Sequence, residues 1–450
     1  MPKQIKFQTP KGMHDILPAD QVYYQKIYDV VFEAANFYNF GKIDTPILED
    51  TDLFSRSVGV ATDIIKKEMY TLKTKGGDCL SLRPEGTAPI ARAYIQHGMA
   101  NISQPVKLWY FGPFFRYEKP QAGRYRQFWQ FSFEVLGEKD GVIDAQIIQI
   151  IYDILQELKV RDLIVDINSI GCDQCRPYYK KLLTRYFKPR ESYLCRDCKR
   201  RLKENVLRIL DCKEEKCQAI IEEAPQSLNY LCDDCRSHFK SVIEFLDELE
   251  IPYNLNPYLV RGLDYYTKTV FEIFLQEKEE KGGLEKKEVE KGEERKEEGE
   301  EERKKKALAG GGRYDKLVSL LGGKDIPAAG GGVGVERLIE IIKTQDVKIQ
   351  DKEKSQVFLA QLGQLAKRKS LKILREFRKN KIKVLEAFGK DSLKVQLNRA
   401  HNLGVKYTLI LGQKEALENE IIIRDMETGK QEIVKIEKIV ETIKNKLKKK

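Results

Sequence analysis

A strict alternation constrains this chain more than any other feature. From Phe128 to Leu136, the residues Phe128, Gln130, Ser132 and Glu134 alternate with Trp129, Phe131, Phe133 and Val135. A period of two is the repeat of a β-strand, so the two sets face opposite sides of a sheet. The aromatic set is expected in a core. The other set places Gln130 and Glu134 on one face. An apolar, aromatic arm, Leu108–Tyr117, comes before it, and the polar stretch between the arms carries Glu118, Gln121, Arg124 and Arg126. Two strands joined by a polar loop are predicted. With Arg116 on the first arm, guanidiniums, carboxylates and an amide converge on one sheet surface. That mixture suits a ligand bearing both phosphate and ammonium, because arginine binds phosphate bidentately. A charged hairpin with no ligand would show the same pairs. The argument for a site is that separated groups of the same kind recur.

Cys79–Leu82 reads as a strand, followed by Glu85, Gly86 and Thr87 at the mouth of a helix, Ala88–His97. Glu85 there suits either a first-turn acid facing the helix dipole or a ligand contact. Leu259–Phe274 returns to period two and carries Arg261, Tyr265 and Tyr266. Gly310–Gly312 and Gly330–Gly332 lack the GxGxxG pattern of a nucleotide loop. They are expected as strand edges where the backbone approaches a ligand. A helix over 333–343 carries Arg337.

Eight of the nine cysteines form four pairs: Cys172/Cys175, Cys195/Cys198, Cys212/Cys217 and Cys232/Cys235. Three pairs have the two-residue gap that lets both thiolates reach one ion, Cys212/Cys217 is looser, and zinc prefers four such ligands. Two structural four-cysteine zinc sites are expected, against free or disulfide-paired thiols. Four thiolates leave no open position for catalysis. Spacing does not fix the pairing. The expected grouping joins Cys195/Cys198 to Cys212/Cys217 and Cys172/Cys175 to Cys232/Cys235. Cys79 is expected to be simply buried.

The rest of the chain falls into segments. A helix over 19–38 should bury Tyr23, Ile27, Val30, Val31 and Ala34. A strand over Lys42–Glu49 carries Pro46, which implies an edge or an interface. A helix over 140–158 and a strand over Leu163–Asn168 follow, then a helical, cysteine-rich stretch from Gly171 to about Phe245. Gln276–Lys306 holds 13 acids, 11 bases and almost no apolar residue; it is expected as a mobile hairpin extension or a solvated charged helix. After a polar linker, residues from Ser355 read β-α-β-α-β, then two strands and a helix. The net charge of +11 is uneven. Glu353–Lys450 has 24 Lys and Arg against 12 Asp and Glu, whereas the remainder has 56 against 57. That asymmetry suits a nucleic-acid-binding appendage on a near-neutral body. No run of eighteen apolar residues and no N-terminal apolar region occur, so neither a membrane span nor a secretory signal is expected. The cysteines suit a reduced cytosol. The four histidines lie outside these motifs, which argues against a histidine-dependent hydrolase.

The stretch FRYE, followed by a loop and RYRQF, resembles motif 2 of the class II aminoacyl-tRNA synthetases. RPEGTAPIAR, LVRGLDYYTKTVFEIF, AGGGRYDKL and GGVGVERL are similar, in this order, to stretches of the histidyl-tRNA synthetase family. The similarity runs from about Thr9 to near the end. It implies an α+β fold with a class II antiparallel-sheet catalytic domain in two parts, 1–170 and 246–344. The helical insertion 171–245 lies between them, and a linker, 345–354, leads to an α/β anticodon-binding domain, 355–450. The charged 276–306 stretch departs from the family pattern.

The resemblance implies a cytoplasmic homodimer joined through the first helix and strand. Histidine, ATP with Mg²⁺, and tRNA(His) are the implied substrates. The implied reaction forms histidyl-adenylate and pyrophosphate, then passes the histidyl group to the tRNA, releasing AMP. Arg116 and Arg261 would grip the α-phosphate, with Arg261 acting in the transition state. Arg126 and Arg337 would serve ATP, with Phe128 on the adenine and Glu118 near its amino group. Glu85, Gly86, Thr87 and Gln130 would hold the histidine ammonium end, Glu134 and Tyr266 the imidazole, and Tyr265 the pocket wall. Gln121 and Arg124 would touch the tRNA acceptor end. The rival expectations are a catalytically inactive regulatory paralogue and a zinc protein that only binds nucleic acid.

Overall fold

The alternating segments assemble into one large sheet. The computed structural model describes residues 7–59, 62–119, 123–276, 307–347, 349, 355–389 and 392–448. Among the described residues, eleven strands precede residue 350: β1 (Gly41–Lys42), β2 (Leu48–Asp50), β3 (Thr71–Lys73), β4 (Cys79–Leu82), β5 (Val106–Phe115), β6 (Gln127–Leu136), β7 (Leu163–Ser169), β8 (Tyr253–Leu255), β9 (Thr267–Leu275), β10 (Ala309–Arg313) and β11 (Ala328–Gly334). Eight of them form the sheet β1-β5-β6-β11-β10-β9-β7-β8. The six inner strands are antiparallel neighbours, and β1 and β8 are added in parallel at the edges. Strands β2, β4 and β3 form a separate small antiparallel sheet.

One face of the large sheet is covered by helices. Phe131, Phe133 and Val135 pack there with Ile147, Ile150, Ile151 and Ile154 of the helix Gly141–Glu157 and with Ile27, Val30 and Val31 of the helix Pro18–Phe37. Burying each such side chain contributes about 1.5–3 kcal/mol before the entropy of ordering is subtracted. Asp140 caps the Gly141–Glu157 helix by accepting from the Val142 N–H at 2.9 Å. Arg313 on β10 is fully buried and donates through Nε to Asp144 of that helix at 3.0 Å. The opposite face carries Tyr110, Ser132 and Glu134 and is the floor of the site.

Several expectations change in detail. The first helix buries Tyr24 and Ala35, not Tyr23 and Ala34. Val142 is exposed at the start of its helix. The single strand expected over Lys42–Glu49 is two strands in different sheets, divided around Pro46. The glycine runs lie on β10 and β11, which pair with each other in the middle of the sheet and not at its edges. Cys79 is exposed. The last helix of the cysteine-rich stretch runs from Asp233 to Glu248, and its Phe239, Val242 and Leu246 join the main core. Residues 277–306 lie outside the described residues.

The chain divides between Ile349 and Gln350. The C-terminal unit has β12 (Val357–Gln361), β13 (Val384–Glu386), β14 (Tyr407–Leu411), β15 (Glu420–Asp425) and β16 (Gln431–Lys435) in the order β13-β12-β14-β15-β16. The first three are parallel and the last two antiparallel. Alternate residues of β12 enter different cores: Val357 and Leu359 pack with Ile373, Phe377 and Ile443, Phe358 and Ala360 with Ala400. A short helix, Gln413–Glu418, has no counterpart in the sequence reading.

Candidate active site

The floor is built by register. Tyr110 on β5 lies opposite Ser132 on β6, and Gly330 on β11 lies opposite Glu134. Glu134 is 1% exposed. It accepts from Ser132 Oγ at 2.6 Å, from Thr87 Oγ1 at 3.0 Å and from the Tyr314 hydroxyl. Burial raises its pKa to about 7, and those three donors offset only part of the cost. A Cβ on Gly330 would collide with this carboxylate, so the glycine here makes room for a side chain of the protein itself.

Glu85 sits at the N-terminus of the helix Thr87–Gln96. Its two oxygens accept from the N–H groups of Thr87 at 2.7 Å and Ala88 at 2.9 Å, and the Tyr265 hydroxyl donates to it at 3.3 Å. The helix-end role is therefore realised. Burial nevertheless raises its pKa. Gly86 is required by close approach, because a Cβ would enter the Tyr110 ring. The rings of Tyr265, Tyr266 and Tyr314 pack together, with centroids 4.8 Å apart for the first pair and 5.7 Å apart for Tyr265 and Tyr314.

The cationic groups flank this floor. Arg261 is ion-paired with Glu272 of β9 and lies 6.0 Å from the Tyr266 ring centroid. A Cβ on Gly310 would strike its guanidinium. Arg116 donates through Nε to the Pro84 carbonyl at 2.9 Å, stands 5.3 Å over the Phe128 ring and is 3.8 Å from Glu118. Arg124 pairs with Glu118 at 3.5 Å. Arg126 donates to the Glu118 carbonyl and stacks on Tyr117 at 3.7 Å. Arg337 donates to the Ala307 carbonyl and feels the charges of Glu118 and Glu272. Gln130 is half-buried, opposite Gly112 and Gly334. Gln121 lies outside the described residues.

The structure thus brings Glu85, Thr87, Glu134, Tyr265, Tyr266 and Arg261 into one connected group, with Arg116, Glu118 and Phe128 beside it. Sequence reasoning missed Tyr314 and Glu272. Tyr314 stands in the quoted AGGGRYDKL, and Glu272 is a lone acid between Phe271 and Ile273. For Glu272 the available signal is that it is the one acid of β9, set in its apolar half.

The eight paired cysteines form two groups: Cys172, Cys175, Cys232 and Cys235, and Cys195, Cys198, Cys212 and Cys217. Cys172–Cys175, Cys172–Cys232, Cys175–Cys235 and Cys195–Cys212 have sulfur separations of 3.9, 3.7, 3.8 and 3.8 Å, and all sulfurs of a group lie within 4.8 Å of one another. A disulfide would need about 2.05 Å, whereas a tetrahedron with ~2.3 Å metal–sulfur bonds has edges of ~3.8 Å. Backbone N–H groups also donate to the sulfurs, Cys195 N to Cys217 Sγ at 3.2 Å and Cys172 N to Cys175 Sγ at 3.3 Å. These donors suit thiolates.

An antiparallel floor set with buried carboxylates and rimmed by arginines, interrupted by a helical insertion and followed by a mixed α/β unit, is the architecture of a class II aminoacyl-tRNA synthetase. The family model for histidyl-tRNA synthetase matches residues 12–283, and that for an anticodon binding domain matches residues 356–446. A histidine–tRNA ligase of Dehalococcoides mccartyi is 41% identical over 441 residues, which is 98% of this chain and 100% of the relative. One of Halothermothrix orenii is 41% identical over 96% of this chain and 98% of its own length. The crystal structure of apo S. aureus histidyl-tRNA synthetase superposes with a TM-score of 0.76 at 33% identity, covering 98% of this chain and all of that one. The chain belongs to the histidyl-tRNA synthetase family.

Proposed function

We propose that this protein is an ATP-dependent histidine–tRNA ligase. The observation that carries the reading is the connected group around Glu134, in which buried acceptors and tyrosine hydroxyls adjoin Arg261 and Arg116. Activation of histidine joins a carboxylate to a polyanion, so alignment and charge neutralisation dominate. Arg116 and Arg261 bind the α-phosphate from two sides. Arg261 acts chiefly in the transition state, and its pairing with Glu272 holds it ready. Phe128 stacks on the adenine with Glu118 near its amino group, and Arg126 and Arg337 take the remaining phosphates. Glu134 and Tyr266 bond the two imidazole nitrogens, one a donor and one an acceptor. Glu85, Thr87 and Gln130 take the ammonium, beside Gly86 and Tyr265. A floor built to hydrogen-bond its ligand rejects analogues without editing.

Mg²⁺ is bound mainly by phosphates, with one or two carboxylates. Glu118 and Glu272 are the site carboxylates beside the arginines, and both are paired with them, which fits a metal carried in with ATP. Two zinc ions fit the cysteine groups, by number, type and separation of sulfurs. They supply structural cross-links and no open coordination position.

The C-terminal unit and its basic excess serve tRNA(His), with Gln121 and Arg124 at the acceptor end. The domain limits given by sequence, with the insertion at 171–245 and the linker at 345–354, belong to this reading. So does a homodimer: Phe32, Leu48 and Leu72 are exposed apolar side chains on the first helix and the small sheet. Among the described residues, no helix is long and apolar enough to cross a membrane, and a cytoplasmic site of action is proposed with it.

Histidine-dependent ATP–pyrophosphate exchange tests the reading. A protein ending near Lys352 should retain exchange but charge tRNA poorly, with a flatter salt dependence of tRNA binding. Absence of exchange in the full-length protein would support the inactive regulatory alternative. Undiminished charging by the shortened protein would refute the role given to the C-terminal unit.

A further inference from the structure

Between β8 and β9 the chain runs irregularly through Leu259–Tyr266, the stretch that carries Arg261, Tyr265 and Tyr266. No strand ladder or helix fixes its conformation. Its buried backbone groups must still be paired. Two carbonyls near its ends are paired by arginines of the cysteine-rich insertion. Arg208 Nη1 donates to the Arg261 carbonyl at 2.9 Å, and Arg176 Nη2 donates to the Tyr266 carbonyl at 2.8 Å.

Each arginine hangs from a different cysteine group. Arg176 directly follows Cys175, and its guanidinium also bonds the Ile170 and Gly171 carbonyls that lead into that group. Arg208 lies between Cys198 and Cys212 and is 7% exposed. Arg201, on the preceding helix Arg196–Glu204, donates to the Arg208 carbonyl at 3.1 Å and to Asp63 at 2.9 Å. Asn205 adds a bond to Asp264 at 3.0 Å.

We propose that Arg176 and Arg208 are positioning residues, by which the two cysteine groups set the backbone at the two ends of the 261–266 segment. The proposal rests on the ligase reading for the roles of Arg261 and Tyr266. It also assigns the groups a purpose beyond holding the insertion together. Four thiolates around one Zn²⁺ would carry a net charge of about −2, which favours Arg176 beside the first group, where Cys172, Cys175 and Cys235 act on it, and Arg201 beside the second, where Cys198 acts on it; Arg201 in turn holds the Arg208 carbonyl. The two arginines should differ in effect. Arg208 places the residue proposed to act on phosphate in the transition state. Arg176 places the residue proposed to bind the imidazole.

The test uses full-length protein with Arg208→Leu, Arg176→Leu and the corresponding lysine variants. Arg208→Leu should lower kcat for pyrophosphate exchange by about ten- to a hundredfold, the range for a lost charged hydrogen bond, with KM for histidine little changed. Arg176→Leu should act mainly on KM for histidine. Lysine, which keeps one donor, should recover part of each loss, and zinc content should stay at the parent value. Equal changes in both parameters that lysine does not relieve would overturn the proposal.

Hydrogen exchange supplies a measurement independent of activity. Stripping metal with a chelator, or either leucine substitution, should speed amide exchange in 261–266 and leave β5 and β6 protected. Faster exchange confined to the insertion would also overturn it. If 261–266 responds but the parent shows no histidine-dependent activity, the ligase reading fails and the coupling stands.

Discussion

The floor around Glu134 and the cysteine-rich insertion both bury polar atoms, but they compensate the cost differently. On the floor, the protein supplies the partners: Glu134 has three hydroxyl donors, and Glu85 has two backbone N–H groups and a tyrosine. In the insertion, sulfur faces sulfur, with four sulfurs in each group within 4.8 Å of one another and few backbone N–H groups directed at them. Hydrogen bonds make the first arrangement rigid. Only a cation makes the second one stable once its thiols ionise.

The largest effect should come from breaking the sulfur arrangement. Replacing Cys195 and Cys212 together by serine should lower zinc from about two to about one per chain, by metal analysis. It should also loosen the insertion to protease. Two zincs retained in the double variant would end the distinction. Next, Arg261→Ala should reduce kcat for exchange on the order of 10²–10³-fold, as for loss of one transition-state donor. A change confined to KM would make Arg261 a binding group only.

A third measurement asks whether internal partners fully offset burial. Glu336 accepts from the Trp129 N–H at 2.9 Å and the Tyr24 hydroxyl at 3.2 Å, yet burial raises its pKa from 4.5 to about 7. Its protonated form is the one the fold favours. Its stabilising effect is thus full below about pH 4.5 and is lost as pH rises through about 7. Glu336→Gln cannot titrate, so its unfolding should lose less stability over that window, by on the order of 3 kcal/mol. Parallel pH–stability curves for parent and variant would contradict this. The smallest effect expected is that of Glu134→Gln. It should raise KM for histidine about tenfold with ATP binding nearly intact. Equal loss of both would make Glu134 structural.

What the sequence revealed follows from what kind of signal each feature leaves. Alternation in Phe128–Leu136 was enough to separate core from floor, because a strand has only two faces. In the first helix Ile27, Val30 and Val31 are buried as expected, and only the two flanking members of the face differ. Tyr23–Tyr24 and Ala34–Ala35 are repeated pairs, so hydropathy cannot say which member turns inward. Cysteine spacing indicates the pairs but not which two pairs share an ion; that grouping is a tertiary fact, which the structure supplies in the expected combination. Tyr314 and Glu272 escaped notice because their partners, Glu134 and Arg261, lie far away in sequence. Glu272 is marked locally only as the one acid of its strand, and neither it nor Tyr314 carries a local sign of the partner it will meet.

The placement of β9 beside β10 has a consequence for how the molecule reaches this state. Thirty-three residues separate Leu275 from Ala309, although the two strands pair as a hairpin. Closing so long a loop from the denatured chain costs about 2 kcal/mol more than closing a four-residue turn, since each doubling adds only ~0.6 kcal/mol. The penalty is small against the whole fold but falls on one step. Pairing of β9 with β10 should therefore be a late event, following the local β5–β6 hairpin. The strand that carries Glu272 would then gain β10, one of its two neighbours, only after the β5–β6 part of the floor has formed.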